Sequence, residues 1–210
     1  MIWAALFVMG VGIGAALAAR WAWVKQKRNP MLGIDPMTLS MPWRQWVKDA
    51  VSARRRFGEV VATTKPGPIR DRLAEIGTGI DTAVQECWRV ARYGDELDEG
   101  IGQLDLANVA RRIERLEREG SSGDAVAALK EQLASGERLR AVAADARQRL
   151  EVQDARLNEA VARAIELSLS ASDVSELSGL GNDVTTLVGD MEALRQGLEV
   201  ARAASRGQAS

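Results

Sequence analysis

The chain has 210 residues, a formal net charge of −1 and an aromatic content of only 4%. It contains no histidine and one cysteine, which excludes an intramolecular disulfide scaffold, histidine-based nucleophile pairs and the commonest nitrogen ligand of zinc. Residues 1–65 carry ten basic and three acidic side chains, whereas residues 66–210 carry eighteen basic and twenty-six acidic ones. We therefore expect a basic stem joined to an acidic body, with no enzyme activity, cofactor, metal or small-molecule substrate.

The first predicted element is a transmembrane anchor at residues 1–24. The chain begins with nineteen uncharged, mainly apolar residues, MIWAALFVMGVGIGAALAA. At ~1.5 Å per residue this run reaches about 28 Å, close to the ~30 Å of bilayer hydrocarbon. Basic residues follow the run, so the positive-inside rule places the N-terminus outside and the rest of the chain in the cytoplasm. We expect contacts with the membrane headgroups from Trp21, Trp23, Lys25, Lys27 and Arg28.

Two alternatives to a retained anchor remain open. A signal peptide could be cleaved after the small residues at 16–18, but signal peptides carry their positive charge before the apolar stretch, and here it comes after. The run could also be a buried helix of a soluble protein. Within it, the Gly10-x-x-x-Gly14 spacing favours close pairing of membrane helices, although small residues are frequent in such helices anyway.

Residues 25–66 form a basic juxtamembrane segment, in which the spacing of apolar residues predicts an amphipathic helix from Pro42 to about Thr63. Tryptophan and arginine side chains together favour a helix that lies in the interface against anionic lipid. The alternative is an ordinary amphipathic helix packed on the rest of the body. Because lipid phosphates would be nearer than those of a nucleic acid, we do not expect a nucleic-acid partner. The expected lipid contacts in this helix are Trp43, Trp46, Arg54, Arg55 and Arg56.

Residues 67–120 form a helical segment. A helix beginning at Pro68 has an apolar stripe that ends near Gly94, and the acidic run at 95–99 is expected to be a solvated turn and the start of the next helix. Cys87 lies on that stripe, which predicts a buried structural thiol instead of a redox-active one. A further amphipathic helix is expected to end before Gly120.

Residues 121–210 predict a coiled-coil hairpin with a frayed C-terminus. One helix is expected from Asp124 to about Ser168, and a final helix repeats apolar residues by three and four. Their short connection favours an antiparallel pair. The two stripes could bury each other, pack on the earlier helices or join a second copy. In the last helix, the residues expected to pair helices are Leu177, Val184, Leu187, Met191, Leu194 and Leu198.

These elements predict an all-α protein with a transmembrane helix, an amphipathic juxtamembrane helix and a helical bundle containing a long antiparallel coiled-coil hairpin. In outline it resembles bacterial membrane-anchored coiled-coil proteins with an outside N-terminus, including some cell-division and envelope scaffolds. The resemblance is architectural and transfers no site residues. It implies a single-pass scaffold or interaction module that faces the cytoplasm and binds anionic lipid and a protein partner or second copy. The alternative is a lipid-sensing or membrane-remodelling protein that self-assembles at the membrane surface.

Overall fold

A computed structural model describes residues 33–120, 123–170 and 174–207. No β-strand occurs within these ranges, so the all-α prediction is confirmed. The predicted anchor, with the expected contacts at 21–28 and the Gly10 and Gly14 pairing motif, lies outside the described residues. A short 3-10 helix, Pro36–Thr38, precedes five α-helices, which are α1 (Trp43–Thr63), α2 (Pro68–Gln103), α3 (Leu106–Arg118), α4 (Gly123–Leu169) and α5 (Val174–Gly207).

In the part of the chain that the structure describes, no helix is both long enough and apolar enough to cross a bilayer.

Helix α1 matches the predicted amphipathic helix to within one residue. It ends at Thr63 because the next residue turns to an extended conformation, and Gly67 adopts a positive φ of 150° before Pro68 opens α2. The apolar face of α1 packs on α2 and α4. For this face, the alternative interpretation of an ordinary amphipathic helix packed on the rest of the body is the one that applies. The buried residues of α1 are Trp43, Val47, Ala50, Ala53, Phe57 and Val60.

Helix α2 does not stop near Gly94 but continues for nine more residues, so the predicted solvated turn is wrong. Gly94 is buried, and a Cβ built on it would overlap the six-membered ring of Trp43. The acidic run binds the loop just before α1. Ser40 donates to the carboxylate of Asp95 through its backbone N–H, at 3.1 Å, and through its hydroxyl. The glycine thus accommodates a neighbouring helix, and the acids after it bind that helix.

We expect Gly94→Ala to destabilise the fold by about 1 kcal/mol, because crowding against Trp43 outweighs the gain in helix propensity. The matched control is Gly58→Ala in α1, where nothing lies within 4 Å of the added Cβ. That change should stabilise by about 0.5–1 kcal/mol. Urea unfolding of the full chain in detergent micelles, followed by circular dichroism, measures both. Stabilisation by Gly94→Ala equal to that of the control would contradict the packing described.

Helices α3 and α4 form an antiparallel hairpin. Asp105 caps α3 by accepting a hydrogen bond from the backbone N–H of Asn108 at 3.3 Å. The side chain of Leu106 fills the space above Gly136 of α4, where a Cβ would overlap it. Nearer the tip, Lys130 of α4 pairs with Glu117 of α3 at 2.7 Å. The first third of α4 is therefore covered by α3, and Gly136 does not interrupt the helix.

Helices α4 and α5 also run antiparallel, since Arg163 pairs with Asp183 at 3.1 Å and Arg156 with Asp190 at 2.9 Å. The apolar stripe of α5 lies inside the same chain, against both α4 and α2. Of the three alternatives left open, the first two hold together: the stripe of α5 packs on α4 and also on the earlier helix α2. All six residues predicted to pair helices are buried: Leu177, Val184, Leu187, Met191, Leu194 and Leu198.

Helices α1, α2, α4 and α5 form a four-helix bundle. Helix α2 is antiparallel to α1, because Trp43 meets Gly94 while Arg54 pairs with Asp81. It is parallel to α5, whose Val184 lies beside Gly79. The hairpin of α3 and α4 extends from the end of the bundle at which α1 begins and α2 ends, so one end of the molecule carries an overhang.

Candidate interaction surfaces

The indole of Trp43 joins α1 to the bundle. It is 0% exposed, and its Nε1–H donates to Asp98 of α2 at 2.7 Å. The guanidinium of Arg147 in α4 lies 5.7 Å from the ring centroid and also pairs with Asp98. Trp46 is half-buried and meets Trp43 edge-on, with centroids 5.4 Å apart. The predicted membrane contact of Trp43 is therefore wrong, because a buried indole with a paired N–H presents no surface to lipid.

The three arginines predicted to contact lipid have different environments. Arg54 pairs with Asp81 of α2 at 2.7 Å, and Arg56 donates to the side-chain oxygen of Asn158 in α4 at 2.6 Å. Arg55 is exposed and makes no ion pair with any residue in the described ranges. The first two arginines thus fasten α1 to its neighbours, and Arg55 is the one available to an outside partner.

A buried carboxylate, Glu86, centres an ion-pair network between α2 and α5. It is 6% exposed, accepts from Nε of Arg195 at 3.0 Å, and also pairs with Arg89. Arg195 continues to Glu199 at 2.8 Å. The pKa of Glu199 lies below its ordinary value, chiefly because of a hydrogen bond with Tyr93 and then because of Arg195. The network therefore links α2 to α5, although a buried ion pair adds little net stability.

An open groove of about 1220 Å³ lies between the last two turns of α2 and residues 128–139 of α4, with Arg202 of α5 at its side. Arg202 pairs with Glu96 at 2.6 Å. The rim also carries Glu99, Glu131 and Arg138, so the acids outnumber the bases. The groove therefore has a mixed lining, with apolar residues at its floor and polar and charged residues along its margin. Its floor is formed by Leu97, Ile101, Leu104, Gly136 and Leu139.

The centre of the bundle holds Cys87 beside a pair of acids. The thiol is 0% exposed, and burial first, then the charges of Asp154 and Asp49, raises its pKa well above the ordinary value. The prediction of a buried structural thiol is confirmed. Because the thiolate is the nucleophile and the metal ligand, this thiol offers neither function.

Asp154 of α4 is itself held in an unfavourable setting. Its Oδ1 is buried with no hydrogen-bond partner among the described residues, while Oδ2 accepts from Asn158 at 3.3 Å. Burial, followed by the charge of Asp49, raises the pKa of Asp154 to about 6, against the opposing effect of Arg56. No group of three or more cysteine and acidic side chains within the described ranges is placed to hold a metal ion.

Several of these residues escaped the sequence analysis although a signal for some was present. Glu86 and Arg195 each stand within an apolar stripe, and a charge at such a position indicates a buried pair. Asp98 and Arg147 have no comparable signal, because their partner is an aromatic ring more than fifty residues from one and a hundred from the other. Comparison of the chain with protein-family models, curated proteins and solved structures gave no match.

Proposed function

We propose that the chain is a single-pass membrane protein whose helical bundle holds a partner protein at the cytoplasmic face of the membrane. The anchor is supported by the apolar run at 1–19 and the basic residues that follow it, which favour this orientation. The bundle supplies a stable body, because the stripes of its long helices are buried within one chain. Binding of a partner would then use the surfaces of the bundle that are not buried within the chain.

The groove between α2 and α4 is the observation that carries this proposal. Its volume of about 1220 Å³ exceeds the roughly 300–1,000 Å³ usual for small-molecule pockets, and it is an open channel with an apolar floor. Such a channel suits an amphipathic helix. Because the rim has more acids than bases, the fitting occupant is a partner helix with basic residues beside its apolar stripe. This role requires no bond-breaking chemistry.

The test uses the full chain in its own membranes, with a photo-crosslinking residue at Gln103 or Gln132, which are exposed on the two sides of the groove. We expect one protein to be crosslinked from both positions. Reversing the rim charges with Glu99→Lys and Glu131→Lys should reduce its yield at least tenfold. The matched control is Glu151→Lys with Glu166→Lys, which changes two exposed acids of α4 outside the groove by the same net charge.

Equal crosslinking in the rim variant and the control would contradict a partner in the groove. The anchor is tested separately by alkaline carbonate extraction, which leaves integral proteins in the pellet. We expect the full chain to stay with the membrane and a chain of residues 25–210 to be released. Release of the full chain would contradict the anchor but would say nothing about the groove. Crosslinking and carbonate extraction are therefore both carried out on the same membrane preparation.

A further inference from the structure

The outward face of α1 carries positive charge that makes no ion pair within the described residues. Arg44, Lys48, Ser52 and Arg55 follow one another at spacings of four, four and three, which places them on one side of the helix. Lys48 and Arg55 are exposed, and neither has an ion pair or hydrogen bond with another side chain in the described ranges. The face opposite the core is therefore a basic strip, closed at its far end by the acid Glu59.

Two exposed methionines lie in the loop that precedes α1. Met37 is 64% exposed and Met41 is 62% exposed, whereas Leu39 between them is only 4% exposed. The backbone N–H of Arg44 donates to the carbonyl of Ser40 at 3.0 Å, so the loop closes directly onto the first turn of α1. Met41 lies two residues before the first residue of α1, and Met37 lies six residues before it.

The outward direction of these methionines is built into the loop. The Nε of Arg44 donates to the carbonyl of Leu39 at 2.8 Å, and Ser40 is held by Asp95 of α2. Asp35 caps the short 3-10 helix by accepting from the backbone N–H of Met37 at 3.0 Å. A loop fixed at these three points holds both methionine side chains in solvent, where a partner surface can reach them.

We infer that Met37 and Met41, with Lys48 and Arg55, form a surface that rests on anionic lipid. This inference rests on the proposed anchor, which ends about thirteen residues before Met37 and so keeps the surface at a high effective concentration beside the bilayer. Exposed apolar side chains enter the headgroup region and cations lie against lipid phosphates. The lipid contact of α1 is thus made by the face opposite its tryptophan, which corrects the orientation expected from the sequence.

The test places an environment-sensitive fluorophore on single cysteines in the full chain, reconstituted into vesicles that contain a lipid-borne quencher. The positions are Met37→Cys and Met41→Cys, and the matched control is Leu169→Cys, an apolar residue of 81% exposure at the opposite end of the bundle. The buried Cys87 remains unlabelled in the folded chain. Vesicles are made of phosphatidylcholine, with or without about one third phosphatidylglycerol.

We expect quenching at 37 and 41 in anionic vesicles, at least threefold weaker quenching in neutral ones, and none at 169. Lys48→Glu with Arg55→Glu should remove the anionic preference. Arg111→Glu with Arg112→Glu, an equal charge change at exposed positions of α3, should leave it unchanged.

Absence of quenching at 37 and 41, equal quenching at 169, or indifference to anionic lipid would each overturn the inference. Quenching is interpreted only for preparations in which the protein floats with the vesicles in alkaline carbonate. In such preparations the anchor is intact, so a negative result contradicts the lipid-contact surface and not the anchor. Protein that does not float contradicts the anchor instead, and quenching of vesicle-bound protein without carbonate then still decides whether the surface meets lipid.

Discussion

Trp43→Ala is expected to destabilise the bundle by about 3–5 kcal/mol, the range for removing a fully buried large aromatic side chain. The change empties the space over Gly94, and it leaves Asp98 and Arg147 without the ring that they contact. Because this ring is where α1, α2 and α4 meet, the loss should fall on the docking of α1 as a whole. Urea unfolding of the full chain in detergent micelles, monitored by circular dichroism, gives the change in free energy.

The control for this prediction is Trp46→Ala. Trp46 contacts the same ring edge-on but is only half-buried, so we expect a loss of about 1 kcal/mol, as for a partly exposed aromatic pair. A double variant, Trp43→Phe with Gly94→Ala, should lose less stability than the sum of its two single changes, since the smaller ring leaves room for the added Cβ. Equal losses for the two tryptophans would contradict the central place of Trp43.

Asp154→Asn is expected to stabilise the protein at neutral pH. Because the folded state raises the pKa of Asp154 from 3.8 to about 6, the protonated carboxyl is the form that folding favours. The stability that it contributes is fully present below pH 3.8 and is lost as the pH rises through about 6. This rise in the pKa corresponds to about 3 kcal/mol, and solvent screening of a partly exposed carboxyl reduces the effect to about 1–2 kcal/mol.

The measurement is the difference in unfolding free energy between Asp154→Asn and the natural chain at several pH values. The difference should be small near pH 4 and should grow to its full size by pH 7.5. Asp145→Asn serves as control, because Asp145 is an exposed acid of the same helix in an ion pair with Arg149. A constant difference across this range, or destabilisation at pH 7.5, would contradict the setting described for Asp154.

The helices themselves were largely predictable from sequence. Pro42, the Pro66-Gly67-Pro68 boundary and the long heptad stripes determine where α1, α2, α4 and α5 begin or which face they bury, because local backbone chemistry and periodicity act within a few residues. The burial of Cys87 followed in the same way from its place on a stripe. Helix bounds and the buried face of each helix are properties that depend mainly on residues close together in the chain.

The error at Gly94 shows where such reasoning fails. A glycine followed by four acids is locally a good helix end, yet here the glycine admits the ring of Trp43 and the acids bind residues 40 and 43. The free energy that keeps α2 helical comes from contacts some fifty-five residues apart, which no local pattern contains. The same long-range packing turned the tryptophan face of α1 inward and left the groove between α2 and α4, for which the sequence carried no signal.

Helix α4 has a mechanical consequence. Its 47 residues have a helical length of about 70 Å, and the part before Gly136 packs against α3 and is separated from the end of α2 by the groove. A force applied across this part of α4 acts on a lever arm of about 20 Å. Beyond the groove, the contacts that hold α4 to the other helices include those of Arg147 with Asp98 and Trp43. Tension on a molecule held at the overhang would therefore be delivered to the start of α1, the point from which the chain runs back toward its N-terminus.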